Sequence, residues 1–203
     1  MYTTKEIYNI IADEFDLYRV TVWPCVSKFL SNFNSKDLLL DIGCGNGKNI
    51  IGNKHLNFKG IDFSDKLVSI CKAKNMDVVE ASMTSIPYDD NMFDGFIAVA
   101  SYHHLDNDND RIKTLNEMYR ILKPGSRGLI VVWAMEQGIK TKFKFTKEDE
   151  MVLWKSRSGN IYERYYHIYK KHDLVNEIQR LEPRFKIVYE GWEEGNWYVY
   201  VEK

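Results

Sequence analysis

The chain of 203 residues is nearly charge-balanced, with net charge −1, 44% hydrophobic and 28% charged residues, a composition that excludes a disordered chain and suits one buried α/β core. Its longest apolar stretches, around Phe96 to Ala100 and Leu129 to Met135, are too short to span a bilayer, so no membrane partner is expected. Cys25, Cys44 and Cys71 are odd in number and lack zinc-ligand spacing; no metal site is expected, and reduced thiols point to a cytoplasmic or nuclear compartment.

Met1 to Arg19 carries acidic residues and no apolar run, so neither a secretory signal nor a transit peptide is expected. Within it, Ile7, Ile10, Ile11 and Phe15 have the spacing of an amphipathic helix, and Pro24 is a favourable first-turn residue for a second helix reaching about Phe33. Leu38-Leu39-Leu40 predicts a buried first strand, Phe58 to Asp62 a second and Asp77 to Ala81 a third. Ser64 is placed to cap the helix through Leu67, Ile70 and Cys71. Phe96 to Ala100 supplies a fourth strand. A helix from about Asp108 to Leu122 puts Ile112, Leu115, Met118 and Leu122 on one face, and Pro124-Gly125 is expected to stop it before a fifth strand, Leu129 to Ala134. Residues 136–170 fit neither period, and so long a connection is expected to be a lid-like, substrate-side insertion or a partly helical excursion. A helix near Asp173 to Leu181, a strand from Phe185 to Tyr189 and the alternating Asn196 to Val201 follow, the last two predicting a hairpin. The expected fold is α/β: a Rossmann-like, seven-stranded, doubly wound sheet with an antiparallel last strand, N-terminal helices over 1–35 and an insertion after strand five. One domain over 1–203 is expected.

The chemistry concentrates after the first strand, in Asp41-Ile42-Gly43-Cys44-Gly45-Asn46-Gly47-Lys48. Glycines there let a ligand lie against backbone N–H groups. A dinucleotide loop needs G-x-G-x-x-G to hold a pyrophosphate, but Lys48 stands where the last glycine belongs, and the Asp41 charge would repel phosphate while attracting ammonium or sulfonium. S-adenosylmethionine carries both cations and no phosphate. Asp62, nineteen positions after Gly43, is placed to accept hydrogen bonds from both ribose hydroxyls. The candidate cofactor-binding residues of this loop and strand are Asp41, Gly43, Gly45, Gly47 and Asp62.

Charge is unevenly distributed. Residues 137–186 hold twelve Lys/Arg against seven Asp/Glu, interleaved with Phe143, Phe145, Trp154, Tyr162, Tyr165, Tyr166 and Tyr169. Such a segment suits phosphates and unpaired bases, and equally a solvated lysine-rich surface.

With Phe93-Asp94 before the fourth strand and Leu122-Lys123-Pro124-Gly125 before the fifth, residues 36–135 resemble class I S-adenosylmethionine-dependent methyltransferases. The remaining segments resemble a narrower family, the enzymes that methylate the carboxylate of 5-carboxymethyluridine at the transfer RNA wobble position. The matching runs are Phe15 with Arg19 and Trp23-Pro24, Asp62-Phe63-Ser64, Tyr102-His103-His104, Val132-Trp133-Ala134-Met135-Glu136-Gln137, Val152-Leu153-Trp154, Arg164-Tyr165-Tyr166-His167 and Gly195-Asn196-Trp197. Ser82 departs from an aspartate that binds the adenine amino group, Leu153 from a proline, and Val20-Thr21-Val22 from a basic stretch. The resemblance implies S-adenosylmethionine as cofactor, with Ser82, Met83 and Ala100 as further candidate cofactor-binding residues, and S-adenosylhomocysteine as product. It implies the transfer RNA anticodon loop as substrate and a heterodimer with a small zinc-binding activator. It also implies a carboxylate clamp among the candidate catalytic residues Arg19, His103, Arg164 and His167, with Arg19 alternatively neutralising the cofactor's own carboxylate. A small-molecule methyltransferase, or a cofactor-binding regulatory subunit without catalysis, would share the glycine loop.

Overall fold

The computed structural model describes residues 2–139, 141 and 143–203. Two helices precede the sheet, α1 (Thr4–Tyr18) and α2 (Pro24–Leu30). Thr3 starts α1 through a capping box: its hydroxyl accepts from the Glu6 N–H while the Glu6 carboxylate accepts from the Thr3 N–H at 2.7 Å. Then come β1 (Leu38–Ile42), α3 (Lys48–Ile51), β2 (Asn57–Asp62), α4 (Asp65–Ala73), β3 (Val78–Glu80), β4 (Phe93–Val99) and a short 3-10 turn at Tyr102–His104. The rest is α5 (Asp108–Ile121), β5 (Leu122–Trp133), β6 (Asp149–Lys155), β7 (Ile161–His167), α6 (Asp173–Leu181), β8 (Lys186–Glu193) and β9 (Asn196–Glu202).

The main sheet has the order β3-β2-β1-β4-β5-β9-β8, parallel except that β9 runs antiparallel to both β5 and β8. The expected seven-stranded α/β sheet with an antiparallel last strand is therefore observed. The central strands β1 and β4 and the second half of β5 are buried on both faces and largely apolar, with side chains that alternate between the two faces. Leu40, Ile42, Phe96, Ala98, Ile130 and Val132 pack toward Leu115 and Met118 of α5 and Leu174 and Ile178 of α6. Leu39, Ile97, Val99, Leu129 and Val131 pack toward Val26, Phe29 and Leu30 of α2. Each such side chain contributes roughly 1.5–3 kcal/mol by leaving water. Strand order reverses between β1 and β4, so a crevice opens at their carboxyl ends.

Two expectations are corrected. Strand β5 begins at Leu122 rather than Leu129, so Pro124-Gly125 lies within it. Pairing with β4 jumps from Phe93↔Leu122 to Gly95↔Arg127, and this irregularity absorbs a proline that has no N–H for the ladder. The insertion contains a β-hairpin, β6 with β7, that lies against α1: Trp154 meets Phe15 with ring centroids 6.2 Å apart. Its two faces carry aromatic and charged residues in alternation, which hid the strand period. No helix among the described residues is long and apolar enough to cross a membrane.

Candidate active site

The crevice is a cleft of about 1120 Å³, its open mouth included, comparable to small-molecule sites of roughly 300–1,000 Å³. Its floor is the glycine loop. Gly43 sits at φ +72°, and a Cβ there would lie 2.4 Å from Ser101 Cβ, so only glycine lets the loop press against the end of β4. Asp62, at the end of β2, accepts from the Gly45 N–H at 2.8 Å and the Ser64 N–H at 2.9 Å. It thereby braces the loop while keeping acceptor capacity for hydroxyl groups. Burial pushes its pKa up to about 6 against those hydrogen bonds.

Asp41 lies beneath the loop, fully buried. One oxygen accepts from Asn49 Nδ2 at 3.3 Å; the other, and Asn49 Oδ1, have no partner among the described residues. Burial pushes the Asp41 pKa up to about 7, opposed by the Asn49 hydrogen bond and the Lys48 charge. An under-satisfied acidic floor of this kind suits a cationic ligand. Arg19 and Lys48 also line the cleft, the latter with Nζ 4.6 Å over the Trp23 ring. Burial and then the Arg19 charge lower the Lys48 pKa. Neither cation has an ion-pair partner among the described residues, so the pair suits a ligand carboxylate. The donor set thus fits S-adenosylmethionine: acceptors for its hydroxyls, anions near its cations, cations near its carboxylate. Ser82, Met83 and Ala100 line the same cleft. The Ser82 hydroxyl is already engaged with Thr84 Oγ1 at 2.8 Å, and Ala100 occupies the left-handed region at φ +54°. Asp41 and Gly47 lie behind the lining rather than in it; Gly47, at φ +76°, packs against Met76 and Cys71.

Beyond the loop, β7 supplies the opposite wall. Successive strand residues face opposite ways, so Arg164 and Tyr166 enter the cleft while Tyr165 and His167 do not. His167 instead bonds Asp149 at 2.9 Å on the outer face, which separates it from Arg164, its expected companion. Arg164 is 2% exposed. Its guanidinium carbon lies 5.6, 5.2 and 5.2 Å from the ring centroids of Tyr8, Trp154 and Tyr166, and its Nη1 donates to the Tyr8 hydroxyl at 3.1 Å. Among the described residues no carboxylate pairs with it, and its Nε is unpartnered.

The Tyr8 hydroxyl also meets His104 Nε2 at 2.9 Å, and His104 Nδ1 meets the Tyr165 carbonyl at 2.8 Å. A carbonyl only accepts, so Nδ1 carries the proton and Nε2 accepts from Tyr8. Burial pushes the His104 pKa down to about 3. The result is a directional chain from Arg164 through Tyr8 to a neutral His104. His103, a candidate clamp residue, does not line the cleft. It is fully buried, accepts from the Trp133 N–H at 3.1 Å, and is held below the ordinary imidazole range by burial, with the Arg164 charge adding to it. The adjacent histidines sit on one 3-10 turn, where neighbours diverge by about 120°, and sequence alone could not tell which enters the cleft. Tyr8, Lys48 and Asn49 also line the cleft without an expected role. Tyr8 could be suspected only from a polar-tipped ring on the buried stripe of α1.

A family model described as a methyltransferase domain matches residues 40–130. The chain is 30% identical to the tRNA (carboxymethyluridine(34)-5-O)-methyltransferase of Schizosaccharomyces pombe, over 98% of this chain and 95% of that protein. It is 40% identical to the protein of the same name from Arabidopsis thaliana, over 64% of this chain but 32% of the relative. With alkbh8 of Xenopus tropicalis, named for the same activity, it shares 28% identity and spans 40% of that protein's length. Among solved structures, the methyltransferase from a complex with the Haloferax volcanii Trm112 methyltransferase activator superposes with a TM-score of 0.72 at 15% identity, over 98% of this chain and 97% of that one. A Methanosarcina mazei S-adenosylmethionine-dependent methyltransferase gives 0.69 at 18% identity, over 90% and 98%. Fold, cofactor cleft and relatives agree: the chain belongs to the S-adenosylmethionine-dependent methyltransferases, within the tRNA carboxymethyluridine methyltransferase family.

Proposed function

We propose that this chain esterifies the carboxylate of 5-carboxymethyluridine at the wobble position of transfer RNA. The observation that carries the reading is Arg164, a buried guanidinium in the cleft whose partners are aromatic rings and a hydroxyl, with no carboxylate of its own among the described residues. A buried cation left in this way is a receptor for an anion. The substrate carboxylate, with a pKa near ~4, arrives already ionised and needs no general base. Neutral His104 and His103 are consistent with that. When bound, the cofactor supplies an electrophilic sulfonium methyl, whose positive charge cancels with the carboxylate's as the ester forms. The chain's own part is to hold the nucleophile. Arg164 orients the carboxylate, Tyr8 and His104 hold Arg164 in register, and the Trp133 and Tyr166 rings exclude water. Such alignment can supply on the order of several kcal/mol of the barrier.

Two further parts of the reading concern partners. The basic, aromatic segment over 137–186 would carry the anticodon loop, and a small zinc-binding activator would complete a heterodimer in the cytoplasm or nucleus. The solved complex with the Haloferax volcanii activator and the sequence resemblance support the second. Methyl uptake from labelled S-adenosylmethionine by transfer RNA with and without the carboxymethyl group, with activator present and absent, tests all of this. Labelling confined to the carboxymethylated RNA and raised by the activator is expected; equal labelling of both RNAs would refute the substrate assignment.

A further inference from the structure

A second cavity, about 680 Å³ with its mouth included, adjoins the cleft and shares Trp23 and Trp133 with it. One side is aromatic. Trp133 stacks on Tyr166 at 4.5 Å, Phe143 follows with its centroid 5.0 Å from Trp133, and Phe143 lies parallel to Phe145 within 9°. Phe143 lines the cavity and keeps 42% of its surface exposed.

The other side is the β8–β9 turn, Glu193 to Asn196, with Gln137. Its amide donors are spent internally. Gln137 Nε2 donates to the Ala134 and Gly195 carbonyls, and Asn196 Nδ2 to those of Glu193 and Glu194. Acceptors remain. Glu193 commits one oxygen to the Cys25 N–H at 2.9 Å and keeps the other, and Asn196 Oδ1 receives no donor among the described residues. Among the described residues the charged lining is Glu193 and Glu194, whose carboxylates favour N–H donors beside a stacking face.

We infer that this cavity seats an unpaired base bearing an exocyclic amine, flanking the target uridine on the same RNA strand. The base stacks on Phe143 and Trp133 and donates its amino hydrogens to Glu193 and Asn196. The inference rests on the RNA reading above and adds a sequence preference to it.

Equilibrium binding tests it without requiring turnover. The full chain with its activator is titrated with carboxymethyluridine-containing anticodon stem-loops in which each nucleotide flanking the target is in turn cytosine, uracil or abasic. At one flank, the abasic RNA should bind about tenfold more weakly than the cytosine RNA, the loss of one stacked base, and uracil should lie between. Phe143→Ala should weaken the cytosine RNA about tenfold yet leave the abasic RNA unchanged. Glu193→Gln keeps an acceptor for Cys25 but adds an amide donor, and should shift preference from cytosine toward uracil. If Phe143→Ala weakens cytosine and abasic RNAs equally, or affects neither, or Glu193→Gln leaves the base preference unmoved, the subsite is refuted. Methyl transfer to these RNAs without base coupling would refute the subsite alone; base coupling without methyl transfer would uphold the subsite and refute the function.

Discussion

Replacing Arg164 by methionine separates its role in the fold from its role toward substrate. In the free protein the guanidinium is 2% exposed and has no carboxylate partner among the described residues. Its desolvation therefore costs several kcal/mol, at the order of magnitude known for a buried ion. Three ring contacts at 5.2–5.6 Å return about 0.5–2 kcal/mol each, and the Tyr8 hydrogen bond at 3.1 Å returns about 1.5–3 kcal/mol. These nearly cancel, so an apolar side chain of similar length should change stability by no more than about 2 kcal/mol, within roughly 4–8 °C for a chain of this size. A bound carboxylate meets a different balance. Loss of a buried ionic partner costs about 3–5 kcal/mol, or roughly two to three and a half decades in rate. Thermal unfolding and single-turnover methylation of a carboxymethylated stem-loop measure the two effects side by side, with cofactor affinity as a control expected to move less than about threefold. Simple carboxylates should raise the melting temperature of the natural chain and leave that of Arg164→Met unmoved. Near-normal turnover in the variant, or collapse of both the fold and cofactor binding, would refute the assignment of Arg164 as a substrate receptor.

Gly43→Ala should abolish cofactor binding and destabilise the fold, because φ +72° and a contact of 2.4 Å with Ser101 Cβ combine a left-handed cost of about 1–2 kcal/mol with an overpacking cost of about 1–3 kcal/mol; calorimetric titration and denaturant midpoints measure both. Asp41, at about pKa 7, binds a proton in the folded chain that the unfolded chain has released, so its ionisation costs stability that grows as pH rises from about 4 to 7. Because a cationic ligand favours the ionised form, affinity for S-adenosylmethionine should fall by up to about tenfold per pH unit below 7, and Asp41→Asn should flatten that dependence. His104, with a pKa near 3, has the opposite sign. Its neutral burial contributes stability above about pH 6.5 that is lost as pH falls toward 3, and acid unfolding of His104→Gln should be shallower over that window. Tyr8→Phe removes the acceptor for Arg164 and the donor for His104; turnover should slow as the activation free energy rises by about 1–3 kcal/mol, and cofactor affinity should hold.

Much of this architecture was legible in the chain because it depends on local pattern. Short continuous apolar runs located the parallel strands and period-3.6 apolar spacing the helices on them, Ser64 announced its cap, and the glycine loop with Asp41 and Asp62 named a cationic cofactor through charge and spacing. The hairpin of residues 149–167 was not legible, since its strands carry aromatic and charged residues on both faces and its burial comes from α1, distant in sequence. Neither was the composition of the substrate wall. In Arg164-Tyr165-Tyr166-His167 the strand period sends alternate residues to opposite faces, and which face meets the cleft depends on how β7 docks. The choice of His104 over His103 follows from the roll of one 3-10 turn, and the role of Tyr8 from α1 lying across both His104 and Arg164. Residue types and spacing within a segment determine the cofactor loop and the strands that carry it. The proposed carboxylate receptor exists only where α1, the 3-10 turn and β7 meet, because its electrostatics come from what surrounds a charge rather than from the charge itself.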